Sequence, residues 1–149
     1  MTHVLIATDG SGQSLKAARY TRSLLDPAGL HQVTVVAVVR PLAAVPFATD
    51  FGEAERTDPD ELAIGHSFRK AAQEAADRIA EEFRGSSAEV VTQIRAGTPA
   101  DQIIRAADEL DVDLIVVGGR GKGAVQAILL GSVAYRVMQH ATCPVLVTR

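Results

Sequence analysis

The sequence predicts a doubly wound α/β fold: one open sheet of five parallel strands with helices on both faces. Short apolar runs alternate with segments of helical periodicity along the chain, which is typical of parallel sheets joined by helical crossovers. The run Val33–Val39 is almost wholly apolar, as expected of a strand covered on both faces. The length of 149 residues suits one domain, 1–149.

The first strand is predicted at His3–Thr8 and the first helix from Ser11 onward. The strand stops at the turn residues Asp9-Gly10-Ser11-Gly12, because such clusters break extended structure. Pro27 and Gly29 end the helix. Helical spacing places five residues on its apolar face: Ala17, Ala18, Thr21, Leu24 and Leu25.

The second strand, Val33–Val39, precedes a segment without periodicity and then a long helix. Residues 41–58 form a loop of a length that is uncommon in compact domains, and it is either functional or a variable surface excursion. Apolar residues spaced by three or four from Asp60 predict the helix, which Gly85 closes. Its predicted apolar face is Ile64, Phe68, Ala72, Ala75, Ile79 and Phe83.

An edge strand is predicted at Ala88–Arg95, because apolar and polar residues alternate there. Thr98-Pro99 then starts a helix, with Thr98 as the N-cap and Asp101 adding negative charge to the first turn. The predicted apolar face of that helix is Ile103, Ile104, Ala107 and Leu110.

Three more elements are predicted at the C-terminal end of the chain: a strand at Leu114–Val117, a helix from about Ser132 to His140, and a strand at Val145–Thr148. We expect Val133, Val137 and Met138 to point inward from that helix. In the strand order 3-2-1-4-5, strands one and four are neighbours. Asp9 and Gly118 would then face each other across the crevice where such sheets bind ligands.

Composition excludes several classes of function. No apolar run approaches the roughly 20 residues of a membrane span, and no basic region precedes an apolar core at the N-terminus. With Cys143 as the single cysteine, an internal disulfide is impossible, so we expect a cytoplasmic protein. The four histidines have no ligand spacing, and the net charge of −3 does not indicate nucleic-acid binding.

Positive charge is concentrated at the C-terminal end of the chain. After Asp113 there is no acidic residue, and four basic residues follow, so this segment carries +4 and the first 113 residues carry −7. Such an excess favours an anionic ligand such as phosphate; the alternative is a chance distribution of solvated charge.

Glycines follow the fourth strand directly, over Gly118–Gly123, and Gly131-Ser132 opens the next helix. A P-loop is excluded, because Gly123 follows Lys122 where serine or threonine is needed. Gly119-x-Gly121-x-x-Ala124 fits a dinucleotide pattern, but it follows the wrong strand, and no acidic ribose partner lies beyond it. The remaining pattern is Gly118-x-x-Gly121, nine residues, and Gly131-Ser132.

With that motif the whole chain resembles the ATP-binding subgroup of the universal stress protein family. Further landmarks are Thr8-Asp9-Gly10-Ser11, Gly97-Thr98-Pro99, the run from Asp113 to Gly118, and Cys143-Pro144-Val145-Leu146-Val147. The departures are Ala7, where some members have proline, and Arg120, where many have histidine.

The resemblance implies a nucleotide site. Its phosphate side would be Gly118, Gly119, Arg120, Gly121, Lys122, Gly123, Gly131, Ser132 and Val133, with backbone N–H groups and the Ser132 hydroxyl as donors. Ala7, Thr8 and Asp9 would line the adenosine side, and the Val38 backbone would meet adenine. The Asp9 carboxylate is a candidate partner for ribose hydroxyls or for Mg²⁺ held mainly through the phosphates. Alternatively, Asp9 merely caps the first helix, Ser132 is only an N-cap, Lys122 is a surface lysine, or the glycines are a flexible turn.

The resemblance further implies a stress-response or signalling module that binds ATP, ADP or AMP and forms a homodimer through residues 145–148. The alternative is a slow ATPase or nucleotidyl-transfer enzyme, but phosphoryl transfer needs more than a phosphate cradle. We find no second carboxylate near the predicted site, because Asp113 precedes its strand. A nucleotide-free interaction module is disfavoured by the intact motif.

Overall fold

The computed structural model describes residues 1–29, 31–41, 59–120 and 130–149, without the side chains of residues 59–64. The strands are β1 (Thr2–Thr8), β2 (His31–Val39), β3 (Ala88–Ala96), β4 (Leu114–Gly118) and β5 (Val145–Thr148). The helices are α1 (Gly12–Leu24), α2 (Pro59–Glu81), α3 (Pro99–Leu110) and α4 (Ser132–His140). Most of the predicted 41–58 loop lies outside the described residues.

The sheet is parallel throughout and has the order β3-β2-β1-β4-β5, which confirms the predicted fold class and strand order. In the register of β1 with β4, Ile6 lies beside Val116. Both strands end two residues further on, at Thr8 and Gly118, on the carboxyl edge of the sheet. The turn after β1 and the end of β4 therefore lie at the same edge.

Two apolar layers cover the sheet. On one face, α1 and α2 pack against a buried cluster that includes Val4, Ile6, Val33 and Val116. On the other face, α3 and α4 pack against a cluster that includes Leu5, Ala7, Val36 and Ile115. Central strands covered on both faces need apolar residues at successive positions, which is the pattern of β1, β2 and β4.

The predicted signals at helix ends are confirmed in part. Ser11 is the N-cap of α1 and accepts a hydrogen bond from the Ser14 N–H. Gly85 has a φ of 76° but lies in the turn beyond Glu81, where α2 ends, and does not cap the helix directly. Thr98 has the backbone of an N-cap and Pro99 follows it, but the Thr98 side chain makes no capping hydrogen bond.

Three residues predicted to be buried are exposed: Leu24 by 55%, Phe68 by 49% and Met138 by 47%. Helical spacing identifies an apolar stripe, but it does not say whether the neighbouring element reaches every residue of that stripe. Leu24 is the last residue of α1, Met138 lies on the outer flank of α4, and Phe68 lines a cavity. No helix in the described ranges is long and apolar enough to cross a membrane.

Candidate functional site

The turn after β1 is held by its own side chains. Asp9 Oδ1 accepts from the Ser11 N–H at 2.9 Å, and Thr8 Oγ1 accepts from the Gly10 N–H at 3.1 Å. The Thr8 and Ser14 hydroxyls lie 2.9 Å apart, which ties the turn to α1. Ser11, not Asp9, caps α1, so the alternative role for Asp9 was wrong. The turn leaves Asp9 exposed at the edge of the sheet.

Gly118 and Gly119 allow neighbouring backbone to approach β4 closely. A Cβ on Gly118 would lie 3.2 Å from Gln13 Cβ, and one on Gly119 would lie 2.9 Å from the Thr148 carbonyl oxygen. Glycine at position 118 leaves space for the start of α1, and glycine at position 119 leaves space for the end of β5. Chain packing therefore accounts for both glycines, whereas the sequence interpretation assigned them to phosphate.

Backbone hydrogen bonds join the end of β5 to the start of α4. The Gly119 N–H donates to the Thr148 carbonyl at 2.7 Å, and the Gly131 N–H donates to the Gly119 carbonyl at 2.6 Å. The Gly131 N–H, which we expected to face phosphate, is therefore engaged within the protein. Gly131 instead serves as the N-cap of α4, so Ser132 is not the cap either.

The N-terminus of α4 opens into a cavity. The Tyr135 N–H donates to the Gly131 carbonyl at 2.9 Å and makes the first intrahelical bond. The preceding N–H groups, on Ser132, Val133 and Ala134, have no acceptor within the helix. All three residues line the cavity, and the first turn of α4 contains no acidic residue. This end of the helix therefore combines N–H groups that have no acceptor within the helix with the positive end of the helix dipole.

The cavity has a volume of about 780 Å³, within the range of small-molecule sites. The ends of β1, β2 and β4 form its base. Its apolar wall on the α3 and α4 side includes Val36, Pro99, Ile103, Val117 and Ala134.

Nine of the predicted site residues line this cavity: Ala7, Thr8, Asp9, Val38, Gly118, Arg120, Gly131, Ser132 and Val133. Gly119 is buried behind it against Thr148. Gly121, Lys122 and Gly123 lie outside the described residues, so their predicted roles remain predictions.

Helix α2 brings residues to the cavity that sequence reasoning missed. Glu74, Arg78 and Phe68 line it, together with Arg40 at the end of β2. Glu74 is the second carboxylate that the sequence analysis did not find. No local pattern places α2 beside this cavity, because that contact depends on how the helix packs across the sheet.

In the described part of the chain, no three His, Cys, Asp or Glu side chains cluster as metal ligands would.

The single cysteine is not activated. Burial raises the pKa of the Cys143 thiol, and the carboxylates of Asp108 and Asp113 raise it further. A raised pKa disfavours the reactive thiolate, in agreement with a packed structural side chain.

The parallel sheet and the cavity at its carboxyl edge define a doubly wound α/β protein. The model of the universal stress protein family matches residues 1–149. A universal stress protein of Methanocaldococcus jannaschii is 32% identical over 147 residues, which are 98% of this chain and 81% of that relative. The chain belongs to the universal stress protein family.

Other relatives show how far the likeness extends. A universal stress protein of Bacillus subtilis is 49% identical, but only over 53 residues, 36% of each chain. The solved structure of another universal stress protein of M. jannaschii superposes with a TM-score of 0.80 at 24% identity, over 99% of this chain and 94% of that chain. A structure of the Archaeoglobus fulgidus universal stress protein in complex with dAMP has a TM-score of 0.56 at 25% identity, over 100% of this chain and 98% of that chain.

Proposed function

We propose that residues 1–149 act as one cytoplasmic domain that binds an adenine nucleotide in the cavity at the carboxyl edge of the sheet. The proposed ligand is ATP, and ADP or AMP would occupy the same site. Binding would make the domain a nucleotide-dependent stress-response or signalling module. The observation that carries the proposal is the N-terminus of α4, whose three N–H groups without intrahelical acceptors belong to residues that line the cavity.

The phosphate end of the ligand belongs at α4. Phosphate accepts hydrogen bonds from backbone N–H groups at a helix N-terminus, and the helix dipole favours its negative charge. Ser132 adds a hydroxyl, and Arg120 adds a cation to the same cavity lining. Gly121, Lys122 and Gly123 are proposed to complete the phosphate side.

The adenosine end belongs over β1 and β2. The apolar wall that includes Val36 and Ile103 suits a base, and the Val38 backbone can supply polar contacts at the strand end. Ala7, Thr8 and Asp9 lie between that wall and α4. The dAMP complex of the A. fulgidus relative supports an adenine nucleotide as the ligand class.

Magnesium would be held mainly through the phosphates. Mg²⁺ prefers oxygen ligands and is commonly bound by one or two carboxylates together with substrate phosphates. Among the described residues, Asp9 is a carboxylate that lines the cavity between the proposed adenosine end and α4, so it fits this role and is the proposed protein ligand. When bound, the ion would neutralise phosphate charge.

Binding without efficient turnover is the proposed mode. Rapid hydrolysis requires a group that orients the attacking water, and usually a cation that stabilises the transition state. Glu74 supplies a second carboxylate but lies on α2, towards the proposed adenosine end. We therefore propose that the output comes from changes in conformation or association.

We also propose a homodimer through β5. This strand is an edge of the sheet, and exposed apolar side chains flank it on both faces. Arg19 and Arg22 of α1 bond to Glu82, beyond the end of α2, so at about 3.6 residues per turn Tyr20 and Leu24 lie on the opposite flank. On α4, Arg136 pairs with Asp101 of α3, and Tyr135 and Met138 lie on the flank away from α3.

Mass spectrometry of the small molecules released from the purified, denatured protein tests the proposed ligand. We expect an adenine nucleotide, or its uptake after incubation with ATP and Mg²⁺. A protein that releases none and retains none after incubation would contradict the proposal.

A further inference from the structure

We propose that Phe68 is the stacking platform for the base of the bound nucleotide. This inference rests on the proposed nucleotide-binding function and adds a direct ligand contact from α2, the helix that sequence reasoning left out of the site. It starts from the exposure of Phe68, whose side chain is 49% accessible although helical periodicity places it on the apolar face.

Three of the four neighbours of Phe68 on α2 are small. Residues three and four positions away are the ones that meet a side chain on a helix surface. Ala71 and Ala72 lie on the C-terminal side, and Gly65 lies three positions before Phe68. A Cβ on Gly65 would find nothing within 4 Å. The fourth neighbour, Ile64, has a side chain outside the described residues. The three small neighbours leave room around the ring, in agreement with its 49% exposure.

That open ring borders the nucleotide cavity. Phe68, Ala71 and Ala72 line it together with Val39 and Pro41 at the end of β2. An exposed phenylalanine elsewhere on a surface needs no explanation. In a cavity whose other wall carries the N-terminal N–H groups of α4, it is the apolar counterpart to the proposed polar phosphate end.

The position of Phe68 matches the extent of a nucleotide. Helix α2 packs on β2 and β3, whereas the glycines and the start of α4 follow β4. Strand β1 separates β2 from β4, so the ends of β2 and β4 are about two strand spacings apart along the sheet, roughly 9.6 Å. Because α2 and α4 cover opposite faces of the sheet, the two ends of the cavity are at least that far apart. A nucleotide with its phosphates at α4 would place its base on the α2 side.

Stacking on an aromatic ring contributes affinity without selecting one base, because every base has a π-face. Phe68 would thus set how tightly the base is held, and polar contacts at the end of β2 would set which base is held. The site should therefore bind nucleotides more tightly than phosphate compounds that lack a base.

Calorimetric titration with ATP and with inorganic tripolyphosphate tests this role. Phe68→Ala and Phe68→Leu should weaken ATP binding by about 5-fold to 150-fold, the range of base stacking on aromatic side chains. Tripolyphosphate affinity should stay within about twofold. The matched control is Arg69→Ala, because Arg69 is exposed on the same helix turn and does not line the cavity; it should bind both ligands as the wild type does.

A second variant provides a direct signal. The chain has no tryptophan, so Phe68→Trp creates a single tryptophan, which can be excited selectively and retains a stacking surface. We expect near wild-type ATP affinity and quenching of its emission by ATP but not by tripolyphosphate.

The outcomes separate the two levels of the proposal. Unchanged ATP affinity in Phe68→Ala, or an equal loss for both ligands, would overturn the role of Phe68 and leave the proposed function in place. A wild-type protein that binds neither ligand would overturn the proposed function, and the role of Phe68 with it.

Discussion

Single residues explain why the cavity has its shape. Gly118 and Gly119 fit the pattern of a phosphate-binding motif, but a Cβ on Gly119 would collide with the Thr148 carbonyl oxygen, and one on Gly118 would lie in tight contact with Gln13. The sequence pattern assigned both glycines to the ligand. It could not predict the packing reason, because both neighbouring groups come from parts of the chain distant in sequence.

Gly119→Ala should destabilise the fold. The added Cβ would lie 2.9 Å from the Thr148 carbonyl oxygen, so the end of β5 must shift, and overpacking of this kind costs about 1–3 kcal/mol. Urea unfolding measures the loss. The control is Gly65→Ala, where the Cβ meets open space and the unfolding free energy should rise by about 0.4–1 kcal/mol. Equal stability of Gly119→Ala and the wild type would contradict the packing explanation.

Elements were predicted more completely than contacts between them. The five strands and the helix starts at Ser11 and Thr98 follow from apolar runs and capping residues, and the alternation of strands with helices predicts the parallel sheet. The exposure of Leu24, Phe68 and Met138 does not follow from local patterns, since it depends on which neighbour each helix flank meets. The same limit kept Glu74 and Arg78 out of the predicted site.

The proposed dimer edge can be tested on the exposed flank of α4. Met138→Glu places a charge beside β5, and desolvating that charge against a second copy should weaken self-association at least about tenfold. The matched control is Val91→Glu on β3, an apolar residue 38% exposed on the opposite edge of the sheet. Sedimentation equilibrium measures the self-association of the wild type and of both variants. A dimer that persists in Met138→Glu and dissociates in Val91→Glu would assign the interface to β3 instead.

At the scale of the whole molecule, the fold gathers the site from the two ends of the chain. The turn after β1 lies near the N-terminus, and the glycines and α4 belong to the last third, yet β1 and β4 are neighbours in the sheet. The acid-free segment after Asp113 supplies β5, α4 and Arg120. The cavity therefore receives its proposed phosphate end from one segment and its proposed base end from β1, β2 and α2.

The central claim is that the N-terminus of α4 binds phosphate, and calorimetry comparing ATP with adenosine tests it most directly. We predict that ATP binds at least about tenfold more tightly, a difference of about 1.4 kcal/mol, and that added salt reduces this advantage because screening weakens the attraction between charges. Equal affinities for ATP and adenosine would contradict the account.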